Sequence, residues 1–291
     1  MSQETPSPPR RYRLLASALV VLAVFGSAAG WIYLRVTERS RVLAAITQAG
    51  GQYQEEAKSA RFGRMFLQLL GNQNVSGGDA VYLDGPHFDD AWLSAQQDLR
   101  SLALRELFIR ESQLGRKSVM RLVRDSNLSS LIAPGIAITD ADAQVIGSLE
   151  GLDNVNLMQS EITDVGLAAL RPKRLIALNV AGTRVTGPAL QQELTGSRVQ
   201  FLLIDGRQFT PELAAQFAQS GTLRTLTLFG PQVTEEHVAL VKSIPSLASV
   251  RFDQTSISAE TAEALSVATL GSMTVEVAPP SEVFFKWRPE K

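Results

Sequence analysis

The chain has no cysteine, which excludes disulfides, thiolate catalysis and cysteine-ligated zinc. Only two histidines, His87 and His237, are present, leaving little material for a histidine-built metal centre. Charge of either sign is not in excess: 28 basic and 29 acidic residues give a formal net charge of −1. No global electrostatic pull toward nucleic acid or anionic lipid follows from that balance. Apolar side chain is what the chain has in quantity, 45% of 291 residues, enough for a sizeable core.

That apolar content is unevenly spread. Residues 1–13, MSQETPSPPRRYR, are polar and proline-rich and read as a disordered basic tail. Leu14 to Leu34 then runs 21 residues without a charge. At about 1.5 Å per residue this run crosses a hydrocarbon core of roughly 30 Å. Trp31 and Tyr33 stand near its far end, where amphipathic rings suit the interface. Residues 14–36 are therefore expected to form a transmembrane helix acting as a signal anchor. The rival reading is a cleaved signal peptide covering residues 1–29, with Leu14 to Phe25 as its apolar region and Ser27-Ala28-Ala29 as the cleavage site. Arg10, Arg11 and Arg13 before the span are matched by Arg35, Arg39 and Arg41 after it, so basic flanks do not set the direction. Both readings place the C-terminal body outside the cytoplasm, and a single-pass membrane location is expected.

The body is a repeat. LSSLIAPGIAIT starts at Leu128, LDNVNLMQSEIT at Leu152, LIALNVAGTRVT at Leu175, VQFLLIDGRQFT at Val199, LRTLTLFGPQVT at Leu223 and LASVRFDQTSIS at Leu247, in steps of 24, 23, 24, 24 and 24. LRELFIRESQLG at Leu104 lies one further step of 24 upstream, preceded by a divergent copy, AVYLDGPHFDD. Each unit alternates apolar and other residues as a short half-buried strand, for example Leu178 and Val180. A third apolar residue (Leu114, Ile138, Ile162, Val185, Phe209, Val233, Ile257) turns back to the same core. A hydroxyl follows at Thr139, Thr163, Thr186, Thr210, Thr234 or Ser258, ahead of acids or Pro211, which is the composition of a helix N-terminus. Each such cap contributes about 1 kcal/mol. Helix-spaced apolar pairs such as Leu167 with Leu170 come next. No unit of this size buries its apolar side alone, so neighbours must stack into one continuous core.

The pattern resembles the short leucine-rich repeat with consensus LxxLxLxxTxITDxGLxxL. VNLMQSEITDVGLAAL (Val155 to Leu170) and LIALNVAGTRVTGPAL are the closest copies. With its basic N-terminus and single span, the chain is similar to membrane-anchored leucine-rich-repeat proteins of planctomycete-type bacteria. The resemblance implies an α/β solenoid, a leucine-rich-repeat horseshoe over residues 79–277 with a parallel β-sheet on its concave face, preceded by one transmembrane helix. It brings no catalytic motif. One departure concerns the position that holds Asn in many such repeats, here Ser112, Ile136, Ser160, Thr183, Arg207, Pro231 and Thr255. The coil is expected to be irregular at the Ile, Arg and Pro turns. Residues 37–78, with an amphipathic helix at Arg39 to Ala49 closed by Gly50-Gly51 and a strand at Gln52 to Glu56, read as a membrane-proximal N-terminal cap. The alternative for Arg61 to Leu70 is a stretch lying on the membrane surface. Met273 to Val277 is expected to be a last strand, and residues 278–291 a C-terminal tail or cap.

Residues with the chemistry of a site fall into this register. His87-Phe88-Asp89-Asp90 has metal-ligand or acid–base residue types, but Phe88 is the third apolar residue and the acids fall at the cap. Glu235-Glu236-His237 and the Asp140 and Asp142 pair are also helix openings. Gly182 to Gly187 has two glycines without phosphate-loop or dinucleotide spacing. Asn74-Val75-Ser76 and Asn127-Leu128-Ser129 match the glycosylation sequon, a pattern common by chance. No catalytic residue, cofactor or metal is assigned.

Binding is the stronger expectation. On a concave face the residues between buried ones point outward, giving a column of Phe108, Ile132, Asn156, Asn179, Leu203, Thr227 and Arg251. Phe201 and Phe229 flank it, and Phe201, Leu203 and Phe229 are expected to form an exposed apolar contact patch. The expected function is binding of another protein or an envelope component, with no nucleic acid and no catalysis. A structural spacer is the first alternative, and an enzyme using loop carboxylates the second.

Overall fold

The computed structural model describes residues 37–54, 79–96, 102–269 and 273–278. The tail, the expected span at 14–36, Arg61 to Leu70 and all of the C-terminal segment but Ala278 lie outside the described residues. Among those described, no helix is long and apolar enough to cross a membrane.

Ten strands form one sheet in strict chain order. They are β1 (Gln52–Gln54), β2 (Asp79–Asp84), β3 (Leu104–Arg110), β4 (Ser130–Ile132), β5 (Asn154–Asn156), β6 (Ala177–Asn179), β7 (Phe201–Asp205), β8 (Thr225–Phe229), β9 (Ser249–Asp253) and β10 (Thr274–Ala278). β1 runs antiparallel to β2, and every later pairing is parallel. Residues 37–48 are helical (α1). Helices then follow the strands one by one: α2 (Asp90–Ala95), α3 (Arg116–Arg124), α4 (Asp140–Gly147), α5 (Asp164–Ala169), α6 (Gly187–Leu194), α7 (Pro211–Ser220), α8 (Glu235–Lys242) and α9 (Ala259–Ala268). This is an α/β fold of alternating strands and helices, with spatial order equal to chain order.

The core runs along one face of the sheet. Leu107, Leu131, Val155, Leu178, Leu202, Leu226 and Val250, one from each of seven consecutive strands, are buried in a single cluster with helix residues such as Val119, Ile146, Leu167, Leu190 and Leu213. The seven third apolar residues are all buried as well, together with Phe88. Truncating one of the large ones, Phe209→Ala for instance, removes packing worth about 3–5 kcal/mol.

The helix openings form as their residue types demand. Thr186 and Thr210 accept from the N–H of Ala189 and Leu213, and Ser258 from Thr261. Thr139 and Asp142 make a reciprocal capping box at α4. The first-turn acids do more than complement a helix dipole. Asp140 accepts the Thr163 N–H at 2.8 Å and its hydroxyl at 2.7 Å, one coil further on. Asp164 does the same for Thr186, at 2.7 and 3.0 Å. Each acid therefore ties its own helix to the cap of the next.

The strand-to-helix turn has a recurrent conformation, from which the turn after β7, at Gly206, departs. Gly85, Glu111, Gly135, Gln159, Gly182, Gly230 and Gln254 occupy equivalent places after the strands and all have positive φ. Gly182, at φ +68°, meets that demand without strain, and an added Cβ would stand 3.1 Å from Gln159 Cγ.

Of the turns at Ile136, Arg207 and Pro231, the expected irregularity is seen at Arg207, while the sheet itself stays regular. The preceding Gly206 lacks the positive φ of its equivalents, and the Gln208 N–H bonds Asp205 in its own turn. Parallel pairing is continuous from β2 to β10, with one register shift at Asp79/Ala80. Other groups take over the missing contacts. Gln208, next to Arg207, donates to the carbonyls of Val180 and Val185, both at 3.1 Å, and accepts the Asp205 N–H at 2.9 Å.

The N-terminal end is closed. Val42 and Ile46 of α1 enter the core. Arg39 reaches the fully buried Asp79 with contacts of 2.9 and 3.0 Å, so α1 is fastened to the first parallel strand.

Candidate binding face

On the sheet face turned away from the core, strand register draws one line of side chains. Tyr82, Phe108, Ile132, Asn156, Asn179, Leu203, Thr227, Arg251 and Glu276 are successive partners from β2 to β10. All seven residues of the expected column fall on it. Phe201 lies on the adjacent line between Ala177 and Thr225, and Phe229 on a third line between Asp205 and Asp253.

Exposure differs from expectation. Phe108, Ile132, Asn156 and Asn179 are buried, and Phe201, Leu203 and Phe229 are half-buried, so the three do not make an exposed apolar patch. Rungs about 4.8 Å apart leave large neighbours in contact along the line, and each shields the next. Phe108 shows this directly: its ring stacks on Tyr82 with centroids 4.4 Å apart and planes 8° from parallel. Those two rings, with Ala80 and Ile132, form a small apolar cluster separate from the main core.

The face changes character along its length. The β2–β4 end is aromatic and aliphatic. At the β9–β10 end Arg251 lies 3.2 Å from Glu276 and 3.8 Å from Asp253. Between them is a groove with a cavity volume of about 70 Å³, lined by Ile132, Val155, Asn156, Ala177, Leu178, Asn179, Phe201, Leu202, Leu203, Thr225 and Thr227. None of these side chains is charged. The groove gathers Ile132, Asn156, Asn179, Phe201, Leu203 and Thr227, whereas Phe108, Phe229 and Arg251 stand outside it.

Its polar floor is asymmetric. Asn156 Oδ1 accepts the Met158 N–H at 3.1 Å, and Asn179 Oδ1 accepts the Ala181 N–H at 3.2 Å. A backbone N–H can only donate, so the amide oxygens must face those groups and both NH₂ groups turn the other way. Neither NH₂ has a hydrogen-bond partner among the described residues.

Most of the other candidates have structural partners. Asp89 caps α2 through the Trp92 N–H, and Asp90 accepts the Gly115 N–H at 2.8 Å. His237 Nδ1 accepts the Thr234 N–H at 2.9 Å, which leaves Nε2 as the protonated nitrogen donating to the Gly206 carbonyl at 2.8 Å. Burial alone would raise the carboxyl of Asp142, but the Thr139 N–H and the Arg116 guanidinium outweigh it and hold the group below the usual carboxylate range. Burial pushes Asp253 up, opposed only by nearby Arg251, and its Oδ1 has no hydrogen-bond partner among the described residues. Asp205 is held by Arg207 at 2.9 Å. None of these carboxylates lines the groove.

No protein-family model matches the chain, and no curated protein matches it in sequence. The face must be read from its own residues. Two features escaped the linear reading: the shared orientation of the two asparagine amides and the bridging role of Gln208. The first left a trace in the alignment, because Asn recurs at one aligned position in the consecutive units LDNVNLM and LIALNVA.

Proposed function

We propose that this chain is a membrane-anchored leucine-rich-repeat solenoid that binds a partner, a protein or another envelope component, through the concave face of its sheet, and that it performs no catalysis. In this reading residues 14–36 hold the protein in the membrane by a single pass, and the repeat body projects outside the cytoplasm. The 24-residue period and the strict strand–helix alternation support the family assignment. The observation that carries the binding function is the uncharged groove on the helix-free face. It unites side chains from five consecutive strands, whereas the carboxylates serve caps and ion pairs elsewhere.

The test is Leu203→Asp in the full chain. Leu203 is half-buried in the groove wall and points away from the core, so the substitution places a charge on the contact face without opening a core cavity. Proximity labelling and crosslinking from the native envelope are expected to lose the wild-type partners in the variant while far-UV circular dichroism is unchanged. Unaltered partner capture would refute binding through this face.

A further inference from the structure

The two carboxamides allow the ligand class to be narrowed, an inference that rests on the concave-face reading above. Asn156 and Asn179 are direct register partners on β5 and β6, and each spends its oxygen on the N–H two residues ahead. Identical local geometry on consecutive rungs relates one NH₂ to the other by a single strand spacing, about 4.8 Å. An oxygen about 2.9 Å from both nitrogens would then see them at an angle of about 110°. That angle is close to the separation of the two lone pairs on a carbonyl oxygen. We propose that Asn156 and Asn179 form a two-donor seat for one carbonyl oxygen, and that the ligand is an uncharged peptide segment whose amide carbonyl bridges both NH₂ groups.

Three observations favour this ligand. The two NH₂ groups have no hydrogen-bond partner among the described residues and stay within reach of solvent, so a ligand acceptor can take the place of water there. No charged residue lines the groove, so an anionic acceptor would lose its hydration without gaining a counter-charge. The groups turned away from the backbone are two donors, and a peptide carbonyl, a pure acceptor with two lone pairs, matches both without a proton of its own to place. The cavity of about 70 Å³ suits a peptide group, with a small apolar side chain against Leu203.

The experiment uses full-length protein in nanodiscs applied to an array of capped, uncharged hexapeptides, with neutral oligosaccharides and charged hexapeptides as the other arms. Asn156→Asp and Asn179→Asp retain the shape and the oxygen that holds the turn, but replace the donor with an acceptor. Asn154→Asp, a half-buried β5 position outside the groove lining, controls for added charge, and circular dichroism checks the fold. The expected result is capture by neutral peptides, weakened at least tenfold in each seat variant and retained in the control. Peptide capture lost in Leu203→Asp but equal to wild type in both seat variants overturns the seat and leaves the concave-face reading standing. Capture insensitive to all these variants overturns both. Preferential capture by oligosaccharides or charged peptides, or no capture on any arm, overturns the peptide assignment.

Discussion

Replacing Gln208 with methionine tests whether polar bridges between coils, and not apolar stacking alone, hold the repeat together. Gln208 is 1% exposed. β6 ends at Asn179 while β7 continues to Asp205, so the Asp205 N–H has no strand partner on that side and uses Gln208 Oε1. The Val185 carbonyl, just ahead of α6, takes one Gln208 donor, and the Val180 carbonyl takes the other. Methionine preserves the length and apolar contact of the side chain but orphans the Asp205 N–H and the Val185 carbonyl. Val180 remains satisfied by the Thr183 hydroxyl at 2.6 Å. Two buried orphans at about 1–2 kcal/mol each predict a loss of about 2–4 kcal/mol. Urea unfolding of the full chain in detergent, followed by far-UV circular dichroism, should show a lower midpoint with an unchanged m-value. Because each coil touches only its neighbours, amide exchange should accelerate first around Val180 to Gly187 and Asp205 to Thr210. Gln208→Glu sharpens the test: ionised, it sets an oxygen against two carbonyls, and protonated it regains a donor. Its deficit should therefore shrink as pH falls toward about 4. A methionine variant within about 0.5 kcal/mol of wild type would refute the reasoning.

The remaining predictions concern the turns and the buried acids. Gly182→Ala should destabilise by about 1 kcal/mol or slightly more, while Gln254→Gly, relieving a non-glycine residue at φ +52°, should stabilise by about 0.5 kcal/mol; denaturant midpoints showing the reverse order would count against a shared turn conformation. Asp142 is held below its ordinary range, so its contribution is present above the unfolded value near 3.9 and is lost as pH falls through the lower folded value; Asp142→Asn should cost about 1 kcal/mol at pH 7 and progressively less in acid. Asp253 has the opposite sign. Its raised folded value means that a cost appears as pH rises above about 3.9, so Asp253→Asn should raise the unfolding midpoint at pH 7 and give no gain below that pH.

The linear sequence was a good guide wherever a property follows from position within the period. Strand phase, the buried third apolar residue and the Thr or Ser caps depend only on a residue's place in its own unit, and all were legible. The line from Phe108 to Arg251 was legible for the same reason, since steps of 23 or 24 residues bring equivalent places to adjacent rungs. Properties set by two units at once were not. Phe108 is buried because Tyr82 stacks on it, Asp140 matters because Thr163 lies one coil away, and Gln208 bridges because β6 is shorter than β7. The irregular turn at Arg207 was legible from its residue type, but the Gln208 side chain that bridges the coils there was not, because its partners lie one unit away.

This division also says where a binding function is to be sought. A residue repeated in every unit, such as the capping threonine, serves the stacking of coils and cannot mark one place on the face. A residue present in a single unit supplies one contact, but no geometry beyond its own. A pair confined to two adjacent units is different, because the sheet itself sets the distance between its members. Asn156 and Asn179 are such a pair, bounded by Ile132 on one side and Leu203 on the other. Their spacing is inherited from the sheet, so the seat needs no further device to hold it, and it is as rigid as the hydrogen-bonded ladder beneath it. Lengthening the loop between β5 and β6 should leave both donors in place so long as the register survives, whereas a one-residue slip of β6 would turn Asn179 into the core and remove one of them.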